Sequence, residues 1–215
     1  MTNTLYCFGE SGNAYKAALA LELAGVPWEA RFVDFFNGEA REAAFRAINP
    51  MGEVPVLDAN GTVLSQSGVI QDWVMAETGK LCGDGTQETR REILRWTIFD
   101  NQKVSGMAGP LRFLMNFLPE DKRPQEVIGF MTGRLKAALG VLEAELDTRD
   151  WLVGDEVSCA DISCAGYLYY PEPFNFDRAS YPALDRWLDR LAALPNWKHP
   201  YDLLPAPTLG TDDRS

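Results

Sequence analysis

This 215-residue chain has one histidine, His199, and four cysteines, few of the imidazoles and thiols on which many metal sites and catalytic nucleophiles depend. Cys7, Cys82, Cys159 and Cys164 form no C-x-x-C pair, which argues against a redox dithiol or a zinc knuckle. A single histidine disfavours a Ser-His-Asp triad and a histidine-rich metal centre, so no metal is expected. Positive charge is also scarce: 20 Lys and Arg stand against 31 Asp and Glu, a net charge of −11. Nucleic acid and anionic membrane surfaces both reward clustered Lys and Arg, so neither is expected as a partner. No apolar run approaches the ~18 residues of a membrane span. Residues 1–5 carry neither the positive charge nor the apolar stretch of a secretory leader, so a cytoplasmic location is expected. Internal repeats and low-complexity stretches are missing too. Any chemistry must rest on hydroxyls, amides and carboxylates, or on a reactive group that a ligand brings.

What the chain does have is apolar bulk in two different periods. Its hydrophobic content of 46% and six tryptophans suffice for substantial cores. Residues 1–78 alternate short apolar strands with helical patterns in the order β-α-β-α-β-β-α, which predicts parallel strands with a crossover followed by a hairpin. Residues 79–87, with Gly83-Asp84-Gly85, read as a linker. From 88 the period is helical, with helices expected over 88–117, 124–147, from Ser158, and over 182–194, two of them opening on proline. The expected organisation is therefore a domain over 1–78, the linker, a helical domain over 88–201 and a tail over 202–215. Leu204-Pro205-Ala206-Pro207 and the charged residues that follow suggest the tail.

The richest stretch is Asn49-Pro50-Met51-Gly52-Glu53-Val54-Pro55-Val56-Leu57 and its continuation to Ser67. Proline inside a central strand removes a ladder donor, so Pro55 must open an edge strand or occupy a special turn, and a cis Val54-Pro55 bond is expected there. That geometry turns the Val54 backbone outward, toward an extended ligand. Asn60-Gly61 predicts a hairpin turn. Ser65 or Ser67 can then cap a helix carrying Val69, Ile70, Trp73 and Val74, and a helix start with free N–H groups suits a carboxylate.

The order of these motifs resembles the glutathione-binding half of cytosolic glutathione transferases, and the likeness runs from Thr4 to about Tyr201. It implies an α/β thioredoxin-like N-terminal domain followed by an all-α helical domain. It also implies glutathione as co-substrate, with the Glu53-Val54-Pro55 edge holding its cysteinyl part and Gln66-Ser67 its γ-glutamyl end. Leu5-Tyr6-Cys7-Phe8-Gly9-Glu10-Ser11-Gly12-Asn13 resembles the first strand and loop of serine-type, theta-like members, with Ser11 at their thiol-contacting hydroxyl. Ser11 can cap the first helix at the same time. Asn13 is a candidate second donor to sulfur, and Tyr6 is an alternative, although its place on the first strand reads as core. Cys7 reads as a small buried hydrophobe. Gly154-Asp155-Glu156-Val157-Ser158-Cys159-Ala160-Asp161-Ile162 resembles the family's capping signature, with Ser158 and Asp161 capping each other's backbone donors and Val157 and Ile162 as a hydrophobic staple.

The likeness further implies a homodimer, with Asp100 of the partner subunit reaching the γ-glutamyl ammonium. Two positions depart from the pattern. Ala40 and Glu53 stand where theta-like relatives hold the glycyl carboxylate with a histidine and a lysine, and Arg41 is the nearby candidate to compensate. The pocket for a small hydrophobic electrophile or peroxide is expected from Phe8 and Gly9 together with Met107, Leu111 and Met115. That helical stripe, with Phe113 and Phe117 beside it, also fits plain core. Tyr167, Tyr169 and Tyr170 could each add a hydroxyl. The function expected is thiol activation for conjugation or hydroperoxide reduction. The alternatives are a glutathione-binding regulatory protein with little turnover and a glutathione-dependent isomerase.

Overall fold

A computed structural model describes residues 2–205. Its first part is a four-stranded mixed sheet in the order β2-β1-β3-β4, built from β1 (Asn3–Cys7), β2 (Trp28–Phe32), β3 (Val56–Ala59) and β4 (Thr62–Ser65). β2 lies parallel to β1, with Asn3 opposite Trp28 and Cys7 opposite Phe32, so the chain crosses over between them through α1 (Gly12–Ala24). β3 and β4 pair antiparallel across Asn60-Gly61, whose φ angles of 55° and 97° are the left-handed pair that a tight type I′ turn needs. With α2 (Ala43–Ile48) and α3 (Ser67–Thr78), the β-α-β-α-β-β-α order expected from the sequence is complete.

α1 is enclosed on almost every face, and Tyr15, Ala17, Leu19 and Leu21 are all fully buried. A helix that is apolar all round belongs between two layers. On one side α1 meets the sheet and α3, and on the other α7 (Cys159–Ala165) and α9 (Pro200–Leu203) of the helical part. Ser11 starts the helix by accepting the Ala14 N–H at 3.1 Å, and Gly25 ends it at φ 71°.

The helical part adds α4 (Gln87–Phe99), α5 (Ser105–Asn116), α6 (Gln125–Leu146) and α8 (Pro182–Ala192) around Trp96, Leu111, Leu135, Leu139 and Trp187. The fold is thus a thioredoxin-like α/β part followed by an all-helical part, as the sequence indicates.

Five local expectations are corrected. The single helix over 88–117 is two, separated by a wide π turn at Asp100–Val104; Gly106 permits this, because a β-carbon there would lie 2.6 Å from the Asn101 carbonyl. Pro124 stands at the N-cap of α6 rather than at its first helical position, whereas Pro182 opens α8 as expected. Neither Ser65 nor Ser67 caps α3, whose cap position is Gln66 at φ 74°. Val157 and Ile162 form no staple: Val157 packs on the helical core, while Ile162 is buried in the core of the first part. Residues 202–205 do not form a loose tail either. α9 is followed by Leu204, buried against that same first core, and residues 206–215 of the expected tail lie outside the described residues.

Candidate functional site

A cleft of about 530 Å³ opens between the two parts. From the first part come Phe8, Ser11 and Asn13 of the β1–α1 turn, the edge residues Glu53, Val54 and Pro55, and Gln66 and Ser67 at the start of α3. From the second come Gly109, Pro110, Arg112 and Phe113 of α5, with Phe117 and Tyr167.

Ser11 is 7% exposed. Its Oγ accepts the Ala14 N–H, which leaves the hydroxyl proton free to be donated toward the cleft. Asn13 is oriented by a buried lysine: Lys16 Nζ donates to Asn13 Oδ1 at 3.0 Å. An ammonium can only donate, so the carboxamide oxygen must face Lys16 and the Nδ2 donor must face away from it. Lys16 is itself fully buried and paired with Asp100, which also accepts from Ser105 Oγ at 2.7 Å and Ser163 Oγ at 2.9 Å. This overturns the expected role of Asp100. Asp100 continues the buried stripe of α4, one turn beyond Trp96 and Thr97, which aims its carboxylate into its own subunit, where it is 0% exposed and cannot reach a partner's ligand.

The loop carrying Ser11 is held by side chains of the second part. Tyr170 donates to the Gly9 carbonyl at 2.7 Å and Arg112 Nη1 to the Glu10 carbonyl at 2.9 Å, so Gly9 anchors the loop rather than lining the cleft. Arg112 is also paired through Nη2 with Glu172 at 2.6 Å, and its guanidinium lies 3.9 Å from the Tyr170 ring centroid. Burial pushes the Glu172 carboxyl up, but hydrogen bonds from Tyr201 and Arg112 and the guanidinium charge together outweigh it and hold the group below its usual value. A carboxyl depressed in the folded state adds stability that is present above its unfolded pKa and is lost as pH falls through the folded value. Glu172→Gln is therefore expected to be less stable than the wild type at pH 7, with the gap closing as pH drops below about 4. Urea midpoints across that range check it, and a gap independent of pH would contradict it.

At the binding edge the Val54-Pro55 bond is cis. Asn49 Nδ2 closes the preceding loop onto the Glu53 carbonyl at 2.8 Å, and Gln66 Nε2 donates to Glu53 Oε2 at 3.1 Å. Ser67 is buried at the first position of α3 and faces the cleft. Arg41 does not join these residues: it is exposed, lies near Gly38 and lines no part of the cleft. Ala40 is buried with Val33, Phe45 and Val56.

The electrophile wall expected on α5 is on the wrong face. Leu111 is fully buried in the helical core and Met107 and Met115 pack against it, so of the expected pocket residues only Phe8 lines the cleft. The cleft face of α5 carries Phe113 instead, and its C-terminal end carries Phe117. Opposite stand Phe35 and Phe36, which sequence reasoning missed. Phe8 stacks on Phe35 at 4.8 Å and Phe36 on Phe117 at 5.1 Å, giving a wall of flat rings. The signal available was two adjacent phenylalanines in Asp34-Phe35-Phe36-Asn37, a loop with no core period to explain them.

Tyr6 lines no part of the cleft; it packs edge-on to Phe45 with the Arg31 guanidinium over its ring. Burial pushes the Cys7 thiol up to about 12, which leaves it protonated and inert at neutral pH.

A polar turn and a cis-proline edge on a thioredoxin-like unit, closed by an aromatic helix face, make a class of ligand cleft. The family model described as "Glutathione S-transferase, N-terminal domain" matches residues 11–77, and that described as "Glutathione S-transferase, C-terminal domain" matches residues 113–195. The chain is 29% identical over 195 residues to glutathione S-transferase GstB of Escherichia coli K12, covering 89% of this chain and 94% of that one. It is 26% identical over 204 residues to a maleylacetoacetate isomerase of Pseudomonas aeruginosa, covering 91% and 95%. A glutathione S-transferase structure from Pseudomonas fluorescens superposes with a TM-score of 0.87 at 30% identity, covering 94% of this chain and all of that one. The chain belongs to the glutathione S-transferase family.

Proposed function

We propose that this chain is a glutathione transferase that activates the glutathione thiol for addition to an electrophile or for hydroperoxide reduction. The observation that carries the reading is convergence: Ser11, Asn13, the Glu53-Val54-Pro55 edge and Gln66-Ser67, distant in sequence, face one cleft. In this reading the Val54 backbone pairs with the cysteinyl part of glutathione and Gln66 and Ser67 take the γ-glutamyl end. Ser11 donates to sulfur, with Asn13 Nδ2 as the second donor. A thiol of pKa about 8.5 is mostly protonated at neutral pH, and the thiolate is the nucleophile, so donors aimed at sulfur raise the reactive fraction. The positive end of α1 acts in the same direction. Phe8, with the phenylalanines stacked around it, receives the second substrate.

The protein is read as a cytoplasmic homodimer. A second copy is the occupant proposed for the groove between α3 and α4, where Val69, Leu94 and Ile98 are exposed beside the buried amide of Gln71. One observation favours a second reading, a glutathione-binding protein with little turnover: the residue facing the cleft from the edge is the acidic Glu53, while Arg41 lies elsewhere. Retention on immobilised glutathione, followed by turnover with aryl halides, isothiocyanates and organic hydroperoxides, separates the two. Binding without turnover would select the second, and no retention would overturn both. Ser67→Ala is expected to weaken glutathione binding about ten- to a hundredfold through loss of a hydrogen bond to a charged carboxylate. Calorimetric titration checks it, and unchanged affinity would remove Ser67 from the site.

A further inference from the structure

We infer that Lys16 is a positioning residue for thiol activation: its ammonium, fixed by groups of the helical part, holds and polarises the Asn13 carboxamide so that Nδ2 is presented to the sulfur of bound glutathione. The inference rests on the glutathione reading above and adds to it a link between the seating of the second part and the ionisation of the thiol.

A lysine inside an apolar helix is costly to bury and is kept only where its charge is matched. Lys16 is fully buried, and its ammonium is paired with Asp100. The two oxygens of that carboxylate are fixed in turn by Ser105 Oγ at 2.7 Å and Ser163 Oγ at 2.9 Å. Among the described residues Asp100 is the one carboxylate within ion-pair distance of the ammonium. The neighbouring Cys164 thiol is pushed well up by burial and stays neutral, and the Tyr167 ring centroid lies 5.9 Å from Nζ. The stem cannot swing either, because it runs so close to Gly166 that a β-carbon there would come within 2.5 Å of Cγ and 2.7 Å of Cε.

This fixed ammonium donates to Asn13 Oδ1 at 3.0 Å, and Asn13 lines the cleft. A carboxamide at a cleft wall can turn over and exchange oxygen for nitrogen. Beside a neutral thiol the turned form competes, because its oxygen accepts the S–H proton. The ammonium forbids that form, since Nδ2 would then face a group that only donates. The donor is therefore in place before the thiol ionises, where it favours the thiolate alone. The ammonium also draws electron density from the carboxamide, which strengthens the N–H on its far side. Asp100, Ser105 and Ser163 all belong to the helical part, so a donor carried by the first part is aimed from the second.

The pH midpoint of the bound glutathione thiolate, read by its absorbance in the full chain, tests this in a cycle of variants. The cycle compares wild type, the ion-pair variant Lys16→Met with Asp100→Asn, Asn13→Ala, and the triple variant. Removing the lysine and the aspartate together leaves the net charge unchanged, so a shift reports the lost hold on Asn13. Asn13→Ala is expected to raise the midpoint by about 1 pH unit, the worth of a hydrogen bond to a charged atom. The ion-pair variant should raise it by about 0.5–1 unit, and the triple variant no further than Asn13→Ala does. Affinity for glutathione should change little. A merely structural role would lower stability without moving the midpoint. Asn13→Asp keeps the ion pair and decides the case if the ion-pair variant does not fold. Lys16 would hold one of its oxygens and leave the other facing sulfur, so the midpoint should rise further than in Asn13→Ala. An unmoved or lowered midpoint in the ion-pair variant, an equal shift with and without Asn13, or an Asn13→Asp midpoint no higher than that of Asn13→Ala would each overturn the role of Lys16 while leaving the glutathione reading intact. Wild-type protein that binds no glutathione would overturn both.

Discussion

Lys16→Met is expected to destabilise the protein by about 3–5 kcal/mol, because it leaves the buried Asp100 carboxylate without its cation. Lys16 and Asp100 are both 0% exposed, and the pair joins α1 of the first part to the π turn of the second. Methionine has nearly the length of lysine and would fill the same channel, where the lysine stem runs so close to Gly166 that a β-carbon there would lie 2.5 Å from Lys16 Cγ. The loss would therefore be one of charge rather than of packing. Two hydroxyls, Ser105 and Ser163, would remain on Asp100, too few to replace an ammonium inside the fold. The double variant Lys16→Met, Asp100→Asn removes the uncompensated charge and is expected to recover part of that stability. Urea unfolding of the three proteins checks this. A single-variant loss under about 1 kcal/mol would mean that water or a rearranged turn already solvates Asp100.

Asp161→Ala is expected to cost about 3–5 kcal/mol with little direct effect on the cleft, by orphaning several buried donors at about 1–3 kcal/mol each. The sequence alone suggests a cap worth about 1 kcal/mol or more. The structure shows why the effect should be larger. The Asp161 carboxylate, fully buried, accepts from the Ser158 N–H and hydroxyl, from the Leu152 N–H and from Trp187 Nε1, each at 2.9 Å. It thus ties α7 to α8 and to the loop before α7, and each of those donors would be left dry. Burial pushes the Asp161 carboxyl up, against the pull of those donated bonds. Asp161→Asn keeps one oxygen acceptor and is expected to cost less than alanine. Thermal unfolding measured beside glutathione retention separates the roles. Unchanged stability with lost retention would make Asp161 a residue of the cleft.

The parts of the fold that were legible are those set by neighbours in sequence. Asn60-Gly61 carries its own turn, Ser11 stands three residues before the N–H it caps, and Ser158 and Asp161 sit at capping spacing. Ser11, Asn13, Glu53, Val54, Pro55, Gln66 and Ser67 were legible for the same reason, as short motifs on strand ends and helix starts. Phe35 and Phe36, on a loop with no core period, were not, and neither was the cleft face of the second part. α5 has apolar side chains on two faces, and periodicity finds both without telling which meets the core; Leu111 took the core and Phe113 the cleft. Asp100 was misplaced although it falls on the apolar stripe of α4 with Ile93, Trp96 and Thr97, because an acidic side chain on such a stripe reads as a surface residue until its buried partner, Lys16, is known. The burial of Lys16 in the middle of α1 reads as a violation of that helix's apolar pattern, and it was the available clue to a buried acidic partner.

The central claim is that Ser11 makes a thiolate of bound glutathione, and the direct measurement is the ultraviolet absorbance of the thiolate as a function of pH for wild type and Ser11→Ala. The wild-type midpoint is expected below the ordinary thiol value of about 8.5, with an upward shift of about 1–2 pH units in Ser11→Ala, the worth of one hydrogen bond to a charged sulfur. Turnover at neutral pH should fall about ten- to a hundredfold with it, while affinity for glutathione stays nearly constant. A wild-type midpoint at the ordinary thiol value, or the same midpoint in both proteins, would contradict it.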